Sequence, residues 1–231
     1  VHYDMTVRNN KGKIIQFSYG EDGINPSMTE DQNLPLGKFT LDDIYSHFQI
    51  PKDIKKDGNT NFTKAAVTKM KKESDELISY TKKLIDIFIS WRKSLIENVF
   101  LFQSKAKIHI PVHFLRTINN VEKSLNITKN SFVDITPLEM YNLIDSYWED
   151  LSSNDLYKPT ELFKICYYFN LTPKNLLTVR HFNKKGLVLL LEKIKMQYLK
   201  SIISPGDMVG MVAAQSIGEP TTQMSSSRES L

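Results

Sequence analysis

The chain has 231 residues, of which 41% are hydrophobic and 10% aromatic, enough for one large or two small domains with a real core. Its net charge of +4 is too mild to mark a dedicated nucleic-acid binder, and one cysteine excludes an internal disulfide. No apolar run reaches the roughly 18 residues that a bilayer crossing needs, no signal peptide is visible, and a chain starting at Val1 suggests a piece of something longer.

Residues 5–8 and 13–19 are β-prone and flank the turn sequence Asn9, Asn10, Lys11, Gly12, which predicts a β hairpin. Gly20, Glu21, Asp22 and Gly23 then turn the chain away. Two adjacent carboxylates without further oxygen ligands read as a turn rather than a magnesium site. Residues 25–37 are polar and proline-bearing and read as a connector. Thr40 is placed to cap a short helix through Phe48, with Phe39 and Ile44 at hydrophobic-staple positions. Residues 51–63, rich in Lys, Asp and Asn, read as a surface loop.

The longest helix is predicted from Ala65 or Ser74 to Val99, with Leu77, Thr81, Leu84, Phe88, Trp91 and Leu95 in one apolar stripe. Residues 108–112 are extended, and Pro111 sharpens the passage into a helix whose apolar positions are Leu115, Ile118, Val121 or Glu122, and Leu125. Thr136, Pro137 and Glu139 combine capping-box spacing with proline at the first helical position. The helix they start runs to about Leu151, its stripe carried by Leu138, Tyr141, Ile144 and Trp148. Pro159 opens another through Phe169, Thr172 and Pro173 begin a short one near Leu177, and residues 184–203 form the last of the series, with Leu187, Leu191, Ile194, Tyr198 and Ile202 inward. Cys166 lies in an apolar run and reads as a small buried hydrophobe. The lysines at 52–56, 69–72, 82–83 and 184–185 are partly interleaved with acids such as Asp53, Asp57, Glu73, Asp75 and Glu76, the pattern of a solvated face.

Pro205 and Gly206 break that helix, and a new one is predicted over residues 207–217. Gly210, Ala213, Ala214 and Ser216 make it narrow enough for close backbone approach, while Met208, Val209, Met211 and Val212 supply apolar contact. Gly218 is expected to end it in the left-handed conformation and Pro220 to prevent its continuation, a hinge. Catalytic chemistry is not written here. No Asp-x-Asp-x-Asp cluster occurs, and His2, His47, His109, His113 and His181 lack metal-ligand spacing, so no catalytic residue and no metal site is expected. The fold class expected is mainly α with a small β hairpin.

Two stretches carry a family resemblance. Residues 205–210 with 213–224 (Ala-Ala-Gln-Ser-Ile-Gly-Glu-Pro-Thr-Thr-Gln-Met) resemble the segment that opens the trigger loop in the largest subunit of multisubunit DNA-directed RNA polymerases. Residues 1–23 resemble the stretch just after the bridge helix of the same subunit, and 110–119 and 198–203 resemble parts of the helical insertion called the foot in the RNA polymerase II type. The resemblance implies a discontinuous cleft module, residues 1–25 and 204–224, interrupted by a foot-like helical domain at 26–203. It also implies that Gln223 contacts the ribose of the incoming nucleotide, an amide being able to donate to and accept from sugar hydroxyls. Residues 225–231 depart from the family pattern, which continues there to a histidine that approaches the triphosphate. The Asn-Ala-Asp-Phe-Asp-Gly-Asp signature of the family is absent, so this stretch alone is expected to be inactive.

For the complete enzyme the resemblance implies magnesium, a second-largest subunit and other polymerase subunits as partners, and DNA and RNA held through the whole complex. Transcription or RNA-processing factors would dock on the foot, and no membrane is involved. The location implied is the nucleus, or the host cytoplasm or virion for a large DNA virus. The competing expectation is a stand-alone helical protein-interaction module without transcription activity.

Overall fold

The computed structural model describes residues 1–50, 61–101, 107–128, 130–153 and 158–228, and from 223 to 228 the backbone alone. Two compact units divide the chain: Val1–Pro26 with Ile202–Leu231, and Ser27–Ser201 between them.

The first unit begins with a small antiparallel hairpin, β1 (Val7–Arg8) and β2 (Ile14–Gln16). Val7 faces Gln16 and Arg8 faces Ile14, with a register irregularity between Val7 and Arg8. The turn forms where the sequence placed it. The Asn9 carboxamide oxygen accepts from the amides of Lys11 (3.0 Å) and Lys13 (2.9 Å), and Gly12 takes a positive φ of 77° that a side chain would resist. The chain then turns through Gly20 (φ 62°), Glu21 (φ 71°) and Gly23 (φ 70°), and the Asp22 carboxylate accepts from the Ile24 amide at 3.0 Å. The two carboxylates belong to a turn.

The second unit is helical: α1 (Leu41–Phe48), α2 (Lys64–Lys72), α3 (Ser74–Ser94), α4 (Phe114–Ser124), α5 (Pro137–Ser152), α6 (Glu161–Asn170) and α7 (Lys184–Ser201). Of the two starts expected for the long helix, Ser74 is the one observed, with Glu73 separating α3 from α2, and the last turn, Leu95–Val99, widens to π geometry. A second π stretch, Lys174–Val179, stands where the short helix after Pro173 was expected. Caps fix the starts. Thr40 and Thr136 each form a complete capping box, with Asp43 and Glu139, and Thr63 and Thr160 accept from the amides of Ala66 and Phe163. Thr160 caps α6, so Pro159 precedes the helix rather than opening it.

Its core is aromatic. Phe48, Phe88, Phe114, Phe163, Phe182, Tyr141, Tyr167 and Tyr198 are fully buried, and rings of Phe48 and Phe88 lie 4.3 Å apart and those of Phe163 and Tyr198 4.9 Å. On α4 the apolar face is rotated from the one expected. Phe114, Ile118 and Val121 are buried, whereas Leu115 and Leu125 are exposed, because His113 caps the helix and turns Phe114 inward at its first position.

The connector at 25–37 needs correction. It contains β3 (Glu30–Asn33), paired antiparallel with β4 (Lys107–Ile110) in register Glu30 to Ile110 through Asn33 to Lys107. The residues Glu-Asp-Gln-Asn have poor β propensity. Distant partners hold them: Gln32 donates to the Val112 carbonyl at 2.7 Å, Glu30 pairs with Arg116 and Asp31 with His109. The loop expected at 51–63 lies outside the described residues up to position 60; beyond it, Phe62 bridges to Val133.

Candidate functional site

The first unit carries the predicted site residues, and hydrogen bonds between its two separate stretches assemble it. Ile24 and Ile202 form an antiparallel bridge, and the Ile203 amide donates to the Gly23 carbonyl at 2.9 Å. Three residues later the chain turns over Pro205 and Gly206, where Asp207 N–H donates to Ser204 O at 3.2 Å. Gly206 has φ 94°, the conformation the third position of such a turn requires. The same turn holds the other stretch: Gly206 N–H donates to Val1 O at 2.7 Å, and the Val1 amino group donates to Asp207 O at 2.8 Å. Beside it the Asp4 carboxylate accepts from the Thr6 hydroxyl (2.6 Å), the Thr6 amide (3.1 Å) and the Arg8 guanidinium. Those bonds, the Thr6 hydroxyl foremost, hold the Asp4 carboxyl at about 2. Sequence reasoning found the Pro205 and Gly206 break but missed these partners, because they are main-chain groups two hundred residues apart.

From this turn rises α8 (Val209–Arg228). The helix expected to end at Ile217 continues through Gly218 and Pro220, and Gly218 does not take the left-handed conformation. An added Cβ at Gly218 would meet nothing within 4 Å. Pro220 lacks the amide that would bond the Ser216 carbonyl, so α8 has a missing rung there instead of a stop. Side chains on either side bond back to the helix's own carbonyls, a contact that favours bending: Ser216 to Val212, Thr221 to Ile217 and Thr222 to Gly218, at 2.8 to 2.9 Å. Val209 at the start of α8 is buried, whereas Met208 before it and Met211, Val212 and Ile217 along it are exposed by 58 to 72%. The Gln223 backbone is helical; its side chain, and residues 229–231 of the non-matching tail, lie outside what the structure describes.

The histidines do not converge. His47 packs on Phe169, His109 pairs with Asp31, His113 caps α4 and His2 lies 3.8 Å from Asp4. Among the described residues no three His, Cys, Asp or Glu side chains are grouped to hold a metal ion. Cys166 is buried, and burial pushes its thiol up to about 12, which suits packing and not nucleophilic work. No described helix is long and apolar enough to cross a membrane.

Comparison with known proteins adds the family context. The family described as RNA polymerase Rpb1, domain 5, matches residues 1–227, so that both ends of the first unit and the helical unit between them fall in one match. The chain is similar to DNA-directed RNA polymerase II subunits RPB1-A and RPB1-B of Trypanosoma brucei brucei, at 24% identity over 96% of its length. It is also similar to DNA-directed RNA polymerase subunit 1 of Acanthamoeba polyphaga mimivirus, at 29% identity over 96%. It spans only 14 to 15% of the length of these relatives.

Proposed function

Because the chain belongs to the RNA polymerase Rpb1 domain 5 family, we propose that it serves within the largest subunit of a DNA-directed RNA polymerase and supports template-directed RNA synthesis. The observation that carries this reading is the family match across residues 1–227, both stretches of the discontinuous unit included. On this reading residues 1–25 and 204–224 supply a cleft module, α8 forms the base of the trigger loop, and residues 26–203 are the foot-like domain on which transcription or RNA-processing factors dock. Gln223 contacts the ribose of the incoming nucleotide. Gly218 and Pro220 act as a hinge through weak helix propensity and the missing Ser216 rung, rather than through a fixed left-handed stop.

On this reading the stretch positions substrate and does not make bonds. Nucleotidyl transfer uses metal ions to stabilise the attacking and leaving oxygens. On this reading those ions are held by carboxylates elsewhere in the subunit, and this stretch alone is inactive. Partners are the second-largest and other polymerase subunits. The compartment is the nucleus, or the host cytoplasm or virion for a viral enzyme. A stand-alone interaction module draws no support from relatives named as polymerase subunits.

Affinity purification of the tagged native gene product tests the reading. A much longer polypeptide that co-purifies with a second large subunit is the expected result. A free 231-residue protein without polymerase partners would overturn it. In the complete enzyme, Gln223→Ala should raise the apparent KM for nucleotides by about ten-fold, the worth of one lost hydrogen-bonded contact.

A further inference from the structure

The chain has two tryptophans, and the helical unit places both against one ammonium. Lys164 Nζ on α6 lies 6.0 Å from the ring centre of Trp91 on α3 and 5.7 Å from that of Trp148 on α5. Tyr168, one helical turn beyond Lys164, closes a third side, its ring 6.3 Å from Trp91 and 6.1 Å from Trp148. All four side chains are half-buried, so the cluster opens to solvent. Cation–π attraction fades near 6 Å, which puts Lys164 at its outer limit, and among the described residues no carboxylate pairs with that ammonium.

The charge on α5 is one-sided, although Arg92 and Lys93 follow Trp91 on α3. Along its length α5 carries Glu139, Asp145, Glu149 and Asp150 and no Lys or Arg. Lys69 neutralises Glu139 and Lys195 neutralises Asp150. Among the described residues Asp145 receives only the neutral hydroxyls of Tyr80 (2.6 Å) and Tyr168 (2.7 Å), which leaves lone pairs on both oxygens. Glu149, four residues on and on the same face as Asp145, has no cationic partner among the described residues.

We propose that Trp91, Trp148 and Tyr168, with Asp145 and Glu149 beside them, form a recognition site for an arginine side chain presented by a basic peptide of a protein partner, and that Lys164 is its resident stand-in. A guanidinium fits better than the ammonium it displaces, because its plane stacks on indole faces while its edge donates to a carboxylate. The unneutralised acids repel nucleic-acid phosphates and select against that class of ligand. The proposal deepens the docking role given above to the helical unit, since it names the chemistry that such a partner must bring.

Both tryptophans report on this site and no other, so emission of the full 231-residue chain reads it directly. The probe is an acetylated, amidated Gly-Arg-Gly-Arg-Gly peptide, with its citrulline counterpart as the uncharged control. A saturable emission change is expected with the arginine peptide, at least ten-fold weaker with citrulline and lost in Trp148→Leu. Lys164→Met, which keeps the helix and the aliphatic stem, removes the internal competitor and should tighten binding about three- to six-fold. Glu149→Gln should weaken binding without altering the melting curve. Equal response to both peptides, or unchanged affinity in Lys164→Met, would overturn the site. Either result would leave assembly with polymerase subunits untouched, so the family reading stands or falls separately.

Discussion

His47 is the residue whose behaviour the structure changes most. Its Nε2–H donates to the Phe169 carbonyl at 3.1 Å, its ring stacks on Phe169 at 4.6 Å, and Phe39 and Phe48 pack its other faces edge-on. Burial, with a smaller push from Lys174, holds its pKa below the ordinary 6.5, and the carbonyl bond opposes that only in part. Folding therefore disfavours the protonated ring. The stability this contributes is complete above pH 6.5 and is lost as pH falls through the folded-state value, so the urea midpoint should decline between pH 7 and pH 5. His47→Phe keeps the stack and cannot titrate; its midpoint should be flatter over that range, and an identical slope would show that other groups carry the effect. None of this was readable from position 47, since a histidine in the last turn of a helix equally suggests a charge facing the dipole. Cys166 was readable, because its neighbours in sequence are apolar on every side.

At the scale of elements, local signals were legible and distant ones were not. Capping residues announce themselves within four positions, as Thr136 and Glu139 did. Thr136 also donates to Glu73 at 2.9 Å, so Thr136→Ala should cost about 1–2 kcal/mol, more than an isolated cap, measured by urea unfolding. β3 gave no signal, because its pairing with β4 and the Arg116 clamp on Glu30 are fixed by residues some eighty positions away. The same limit explains α8. Gly-Glu-Pro reads as a terminator by local rules, yet the helix continues past it. Gly218→Ala then separates the two conformations. In a helix it should raise helicity, with a gain of about 1 kcal/mol, because the new Cβ meets only open space. A left-handed residue would instead be destabilised. Circular dichroism of the full chain reads the sign.

For the whole molecule, the class mainly α with a small hairpin was legible from periodicity, and the family from residues near both ends. The distribution of exposed apolar side chains was not. Tyr3, Ile15 and Phe17 in the first stretch and Met208, Met211, Val212 and Ile217 in the last are all more than half exposed. Exposed large apolar side chains become adhesive where they lie side by side. The chain by itself should self-associate, and Phe17→Ser with Ile217→Ser should shift it toward monomer in sedimentation velocity. A chain monomeric at every loading concentration before substitution would show that these residues are not adhesive.

The bond from the Gly206 amide to the Val1 carbonyl joins residues that the whole helical unit separates in sequence. A ribosome adds roughly 5–20 residues per second, so the early stretch waits on the order of 10–40 s for the strand that completes it. During that interval Ile24, buried in the finished unit, lacks its bridge partner Ile202. Synthesis of this unit thus has a built-in delay, over which chaperones have time to act, and its length is set by how many residues the helical body contains.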